Sequence, residues 1–248
     1  MIYYISDLHF HHSNIVKLCE RPFKSVEDMN EILITNWNKT VTNDDIVYFL
    51  GDFSFKCNQN QADKILEQLN GKKYFIKGNH DKETWLNRIK EKGLIEDWFD
   101  YKEIDDSGRR VILCHYPIHS WNGLYRGSYH LYGHVHNNTV ENAEWQKNRF
   151  NVSCEVLDYT PKTLDQLIEE RDRKEQEYKD LIDNYKIKFY DEIGIPGKYR
   201  EPLTEEELNK SISEKIINKF RDRLSKATVV YVHTDMSADD LDIKGEII

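Results

Sequence analysis

Apolar residues recur along the first two-thirds of the chain in short β-prone runs: Ile2–Ile5, Ile46–Leu50, Tyr74–Ile76, Val111–Cys114, His130–Tyr132 and Phe150–Val152. Between the early runs lie segments with the 3.6-residue period of an amphipathic helix. These are Val26 to Lys39 behind a Ser25-x-x-Asp28 start signal, Gln59 to Leu69, and Glu83 to Lys92. Such alternation predicts an α/β core. The pattern changes after Pro161, where a Thr163-x-x-Gln166 capping signal opens a long charged segment. Its apolar residues, Leu164, Ile168, Tyr178, Ile182, Tyr185 and Phe189, form a narrow stripe interrupted by Arg171 and Glu175. Gly194-Ile195-Pro196-Gly197 ends that helix, and Thr204-x-x-Glu207 starts a second one carrying Leu208, Ile212, Ile216, Phe220 and Leu224. A strand-like Thr228–His233 and an acidic tail follow. The expected organisation is a catalytic domain over residues 1–168 and a helical extension over residues 169–248.

The polar residues just after each strand change this picture. Asp7-Leu8-His9 follows the first, Gly51-Asp52 the second, Gly78-Asn79-His80-Asp81 the third, His115 the fourth and Gly133-His134-Val135-His136 the fifth. Singly, each reads as a cap, a turn or a core histidine. Jointly they place oxygen and imidazole donors at strand ends, where α/β folds build sites, and these donors suit divalent Mn, Fe, Zn or Ni. In an extended segment, Asp-x-His sends both side chains to one side, and His134-Val135-His136 repeats the device. With Asp52, Asn79 and His115 there are donors enough for two ions and a carboxylate to bridge them. Two-metal sites with ions roughly 3.5–4 Å apart clamp the attacking and leaving oxygens of a phosphoryl displacement.

Composition narrows the classes. A formal net charge of −9 disfavours loose, charge-driven binding to nucleic acid, though a local cationic pocket remains compatible with it. No apolar run is long enough to cross a bilayer. Cys19, Cys57, Cys114 and Cys154 are scattered without a Cys-x-x-Cys pair, which argues against a disulfide framework or thiolate zinc site and for buried thiols. Because Met1 to Ile5 already reads as the leading strand, the expectation is a cytoplasmic protein without a cleaved leader.

The ordered blocks "SDLH", "LGDF", "KGNHD", "LCHYP" and "YGHVH" resemble the calcineurin-like metallophosphoesterase superfamily, and "FHHSNIVKLCERPF", "VEDMNEILITNWN", "HYPIHSWNG" and "RFNVSCEVLDYTP" resemble a branch of small bacterial and phage phosphoesterases. The resemblance fades after about Ile168. It implies a four-layer αββα metallophosphoesterase sandwich, here with a C-terminal helical hairpin. It places Asp7, His9 and His136 on one metal and Asn79, His115 and His134 on a second, with Asp52 bridging. Manganese is the favoured metal, with iron, zinc or nickel as alternatives. His80 would face the substrate, stabilising the transferring phosphoryl group or protonating the leaving oxygen, and Asp81 would orient its ring. Gly78 would permit a tight exit from the strand.

The implied reaction is hydrolysis of phosphate esters by direct attack of metal-bound hydroxide, without a covalent phospho-enzyme. Phe53-Ser54-Phe55 stands after Gly51-Asp52 where protein phosphatases and dinucleoside polyphosphate hydrolases of the superfamily place an Asp-Arg pair. The absent guanidinium demotes those activities and favours a phosphodiesterase acting on a nucleotide, cyclic nucleotide or nucleic-acid-type substrate. The alternatives are a small-molecule phosphomonoesterase and a non-catalytic phosphate-binding module. His11, His12, Asn14 and Arg21 are candidates for the mouth of the site, with Ser13 as a helix cap. His119 and Trp121 are candidates for stacking, and Lys77, Arg109, Arg110 and Arg126 for phosphate contacts. The C-terminal helices offer a surface for homo-oligomer formation.

Overall fold

The computed structural model describes residues 1–55, 57–138 and 147–192. Two four-stranded sheets carry the fold. The first is wholly parallel, in the order β1 (Ile2–Ile5), β2 (Ile46–Phe49), β3 (Lys72–Ile76), β4 (Asp97–Phe99). The second runs β5 (Tyr101–Asp106), β6 (Arg109–Cys114), β7 (Tyr129–Tyr132), β8 (Arg149–Asn151), antiparallel at β5–β6 and parallel thereafter. Parallel pairing requires crossovers, and the predicted helices supply them in the first sheet. They are α2 (Val26–Thr40), α3 (Gln59–Leu66) and α4 (Glu83–Glu91), with the single-turn α1 (Ile15–Leu18) ahead of them.

The local signals act as expected. The Ser25 side chain accepts from the Asp28 amide at 3.1 Å and starts α2. Asn58 and Gln61 form a capping box at α3. Thr163 and Gln166 exchange reciprocal bonds ahead of α5 (Leu164–Glu192). Both sheets and the helices share one apolar core, in which Ile5, Phe49 and Phe75 meet Leu33 and Trp37 of α2, Leu86 of α4, and Val111, Leu113 and Leu131 of the second sheet. At 25 cal/mol per Å² this common burial is the main force holding the layers together.

The ends of β1 and β8 are stitched by backbone bonds from Ser6 N to the Val152 carbonyl and from Cys154 N to the Ser6 carbonyl. That stitch brings the segment after β8 beside the segment after β1. The chain divides into two units after Glu170, within α5. In the first unit, Leu164 and Leu167 belong to the core. The predicted second helix, the strand-like Thr228–His233 and the acidic tail lie outside the described residues.

All four cysteines are free, but only Cys154 is buried; the others are half-buried. No helix among the described residues is long and apolar enough to cross a membrane.

Candidate metal centre

The segments after β1, β2, β3, β6 and β7 converge at the C-terminal ends of their strands. Asp7, His9 and His136 form one group whose donor atoms lie within 4.8 Å of one another, and Asp52, His115 and His134 form another. Asn79 belongs with the second, its Oδ1 standing 3.0 Å from His115 Nε2 and 2.9 Å from His134 Nδ1. Asp52 connects the two. Its Oδ1 is held by the His80 amide at 2.9 Å, while its Oδ2 stands 3.6 Å from His9 Nε2 and 3.5 Å from His115 Nε2.

The backbone that aims these groups is not extended. Asp7 (φ 56°), His9 (φ 50°), Asp52 (φ 60°), His134 (φ 72°) and His136 (φ 53°) all adopt left-handed conformations. The same-face argument for Asp-x-His is therefore corrected: β1 ends at Ile5, and left-handed conformations at Asp7 and His9, not the pleat, bring the two side chains together. Such conformations cost of order 1 kcal/mol or more each and persist where surrounding bonds over-determine them. Those bonds are present. Asp7 Oδ2 accepts from Ser153 Oγ at 2.9 Å and from the His134 amide at 3.0 Å, and the Asp7 and His9 amides donate to the Gly51 and Asp52 carbonyls.

Gly78 serves closeness, not a special φ. A Cβ there would overlap Asp52 Oδ1, and one at Gly133 would overlap Asp7 Oδ2.

The donors fit divalent cations. His9 is 2% exposed, yet neither of its ring nitrogens has a hydrogen-bond partner. Burial, with His136 and Arg21 nearby, pushes its pKa down to about 2, so the ring is a neutral ligand at any ordinary pH. Burial raises the Asp52 pKa against the pull of His115. A cation among these groups would offset both costs. Exposure grades across the cluster: Asp7, His9, Asp52 and His115 are buried, whereas Asn79, His80 and His134 are exposed. The second group thus forms the mouth.

His80 lies at that mouth, its ring 5.4 Å from His9 and 4.7 Å edge-on from Phe55. The expectation that Asp81 orients this ring is corrected. Asp81 Oδ2 accepts from the amides of Asp52 (2.8 Å) and Gly78 (2.9 Å), and Oδ1 from that of Phe53 (3.1 Å). The buried carboxylate ties the loops after β2 and β3 to each other and sets the backbone from which Asp52 and Asn79 project.

The other candidates separate. His12 stays beside the site, 5.4 Å from His9, whereas His11 turns toward Asn30 of α2, and Asn14, not Ser13, holds the N-cap position of α1 without a side-chain capping bond. Arg21 is buried behind the site. Trp121 is buried too, donating to Ser128 Oγ at 3.0 Å and packing on His130, while His119 is exposed. Lys77 pairs with Glu83 and Asp100. Arg109, Arg110 and Arg126 line a cleft of about 370 Å³ with Gly127 and Ser128, at the opposite ends of β6 and β7 from His115 and His134. Arg109 is already paired with Asp165.

Sequence reasoning missed Glu155, which accepts from both Arg21 and His136. The rule that found the other groups, a polar side chain just past a strand end, also applies to it after β8. It also missed Tyr116 as an exposed ring, 5.1 Å from His115 and 4.8 Å from His134.

A family model described as calcineurin-like phosphoesterase matches residues 1–212. The chain is 40% identical over 171 residues to an uncharacterized protein of Methanocaldococcus jannaschii, covering 67% of this chain and 89% of that one. It is 23% identical over 179 residues to the gene 66 protein of Mycobacterium phage L5, covering 62% and 86% respectively. The crystal structure of a protein of unknown function from Aquifex aeolicus aligns with a TM-score of 0.54 at 31% identity, over 65% of this chain and 94% of that one.

Proposed function

Since the chain belongs to the calcineurin-like phosphoesterase family and is a metal-dependent phosphoesterase, we propose that it is a binuclear phosphodiesterase acting on a nucleotide or nucleic-acid-type ester. The observation that carries the two-ion reading is the position of Asp52 Oδ2 between His9 and His115, one ring from each donor group. Asp7, His9 and His136 would hold one ion, Asn79, His115 and His134 the other, with Asp52 shared. Manganese is the proposed metal, with iron, zinc or nickel as alternatives, since a mixed set of imidazole, carboxylate and amide donors suits all four. When bound, the ions supply Lewis-acid stabilisation of phosphate oxygens and a water acidified toward neutral pH.

The chain's own residues do the rest. Asp7 and Asp52 would offset part of the ions' positive charge, and Asp52 would serve both ions. His80, ring exposed at the mouth and backbone amide bound to Asp52, would donate a proton to the leaving oxygen. The left-handed turns and the Asp81 clamp hold these groups without reorganisation during the reaction.

The cations support a diester over a monoester. Arg21 is committed to Glu155 and to backbone carbonyls, Lys77 is paired with two carboxylates, and Arg109, Arg110 and Arg126 lie at the far end of the second sheet. A terminal phosphate dianion would find none of these guanidiniums or amines to grip its second charge. A diester carries one charge, which the ions suffice to meet. The exposed ring of Tyr116 on one side of the mouth, and Phe55 and His12 on the other, offer apolar faces for a nucleobase or aryl leaving group. Four free cysteines suit a reducing compartment such as the cytoplasm.

The test is an assay of metal-free protein resupplied with Mn²⁺ against a bis-aryl phosphate and an aryl monophosphate. Turnover of the diester in preference to the monoester, abolished by chelation, is expected. The reverse preference would replace this reading with a phosphomonoesterase, and inertness to both under varied metals would favour a phosphate-binding module.

A further inference from the structure

Glu155 and Arg21 form an ion pair whose side chains are 4% and 0% exposed. Glu155 Oε1 accepts from Arg21 Nε at 2.9 Å and Nη2 at 2.6 Å, and stands 2.9 Å from His136 Nδ1. The guanidinium also reaches forward, Nη1 donating to the Leu8 carbonyl at 2.8 Å and Nη2 to the Asp7 carbonyl at 2.7 Å. One buried unit therefore touches every segment of the first donor group: the Asp7–His9 turn through its carbonyls and His136 through its ring.

A carboxylate cannot donate, so the 2.9 Å contact requires a proton on His136 Nδ1. That tautomer leaves Nε2 with the lone pair a cation needs. The negative charge also makes the imidazole a stronger donor. The buried Arg21 guanidinium supplies the countercharge that the buried carboxylate needs. The second donor group is braced differently: His115 Nδ1 faces the neutral Leu50 carbonyl at 2.7 Å.

We infer that Glu155, held by Arg21, is a positioning residue that sets the affinity of the first donor group alone, by fixing His136 in the Nδ1–H tautomer with Nε2 directed to the ion. The inference rests on the two-ion reading for its selectivity and on the contact itself for the tautomer.

The experiment is calorimetric titration of the metal-free protein with Mn²⁺, on wild type and Glu155→Gln, alongside ¹⁵N-histidine NMR of the wild type with and without diamagnetic Zn²⁺. Gln keeps the shape and removes the charge. One of two binding events should weaken 10–100-fold, as outer-sphere partners of metal ligands typically do, while the other stays within about twofold. Equal weakening of both events, or of neither, would overturn the inference. The NMR arm does not depend on the variant folding. In the Zn²⁺-loaded protein His136 should carry its proton on Nδ1, and a proton on Nε2 with a bare Nδ1 in that state would overturn the inference. A wild type that binds a single ion would refute the two-ion reading, while the His136 tautomer would still decide the role of Glu155.

Discussion

The first donor group, Asp7, His9 and His136, is backed by a buried ion pair, whereas the second, Asp52, Asn79, His115 and His134, is backed by the main chain: the Leu50 carbonyl behind His115 and the Asp81-bound amides beneath Asp52 and Asn79. Exposure follows the same division, the first group being largely enclosed and the second opening to solvent at Asn79 and His134. A buried cation site needs charge nearby to offset desolvation, and a solvent-facing one needs only geometry. On the proposed two-ion reading, the enclosed group would exchange its ion more slowly and the open one would face substrate.

Four substitutions probe that division. Asp52→Asn removes the carboxylate common to both groups and should have the largest effect. Metal analysis should find at least one ion lost per chain, with turnover reduced by about 10⁴-fold, as expected when several kcal/mol of charge stabilisation disappears. His80→Ala should retain both ions yet lower kcat by roughly 10²–10⁴-fold, the span of acid catalysis. Loss of metal would place His80 among the ligands instead. Asp81→Asn puts an amide NH₂ against backbone N–H donors and should cost about 1–3 kcal/mol of stability in a denaturant titration. It should weaken the second group more than the first, because two of its three amide partners flank Asp52 and Asn79.

The smallest effect is a control. Asp63 of α3 is also buried and paired, but with Trp85, Arg88 and Lys92 of α4 and its C-cap. Burial pushes its pKa up, and the bonds from Lys92, Arg88 and Trp85 more than offset this, leaving it below the usual carboxylate value. Its contribution is therefore present above the ordinary aspartate pKa and is lost as pH falls through the depressed one. Asp63→Asn should cost about 1 kcal/mol at pH 7, discounted for the partly exposed partners, and progressively less toward pH 3. Both metal affinities should be unchanged, and a change in either would mean that the division between the groups reflects general stability.

Much of this was legible in the chain because it is local. Strand runs, the Ser25 and Thr163 caps and the polar residues at strand ends all declare themselves within a few positions. The polar strand β5 did not, since its alternating exposure matches an edge and its apolar content is low. Its signal lay in the turn: Ser107 (φ 58°) and Gly108 (φ 82°) form the two-residue left-handed connection that joins hairpin strands. Arg21 read as a candidate for the mouth of the site because its partner lies 134 residues away. Asp81 read as a partner for its sequence neighbour, but a buried carboxylate among free amides takes the amides. In both cases the local pattern identified the right segment and the tertiary contact determined the role.

Whether two ions share Asp52 is read from anomalous diffraction by crystals of the Mn²⁺-loaded protein. Two peaks are expected roughly 3.5–4 Å apart, one beside His9 and His136 and the other beside His115 and His134, with Asp52 Oδ2 coordinating both. A single fully occupied peak, or two peaks with Asp52 bound to only one, would contradict that sharing.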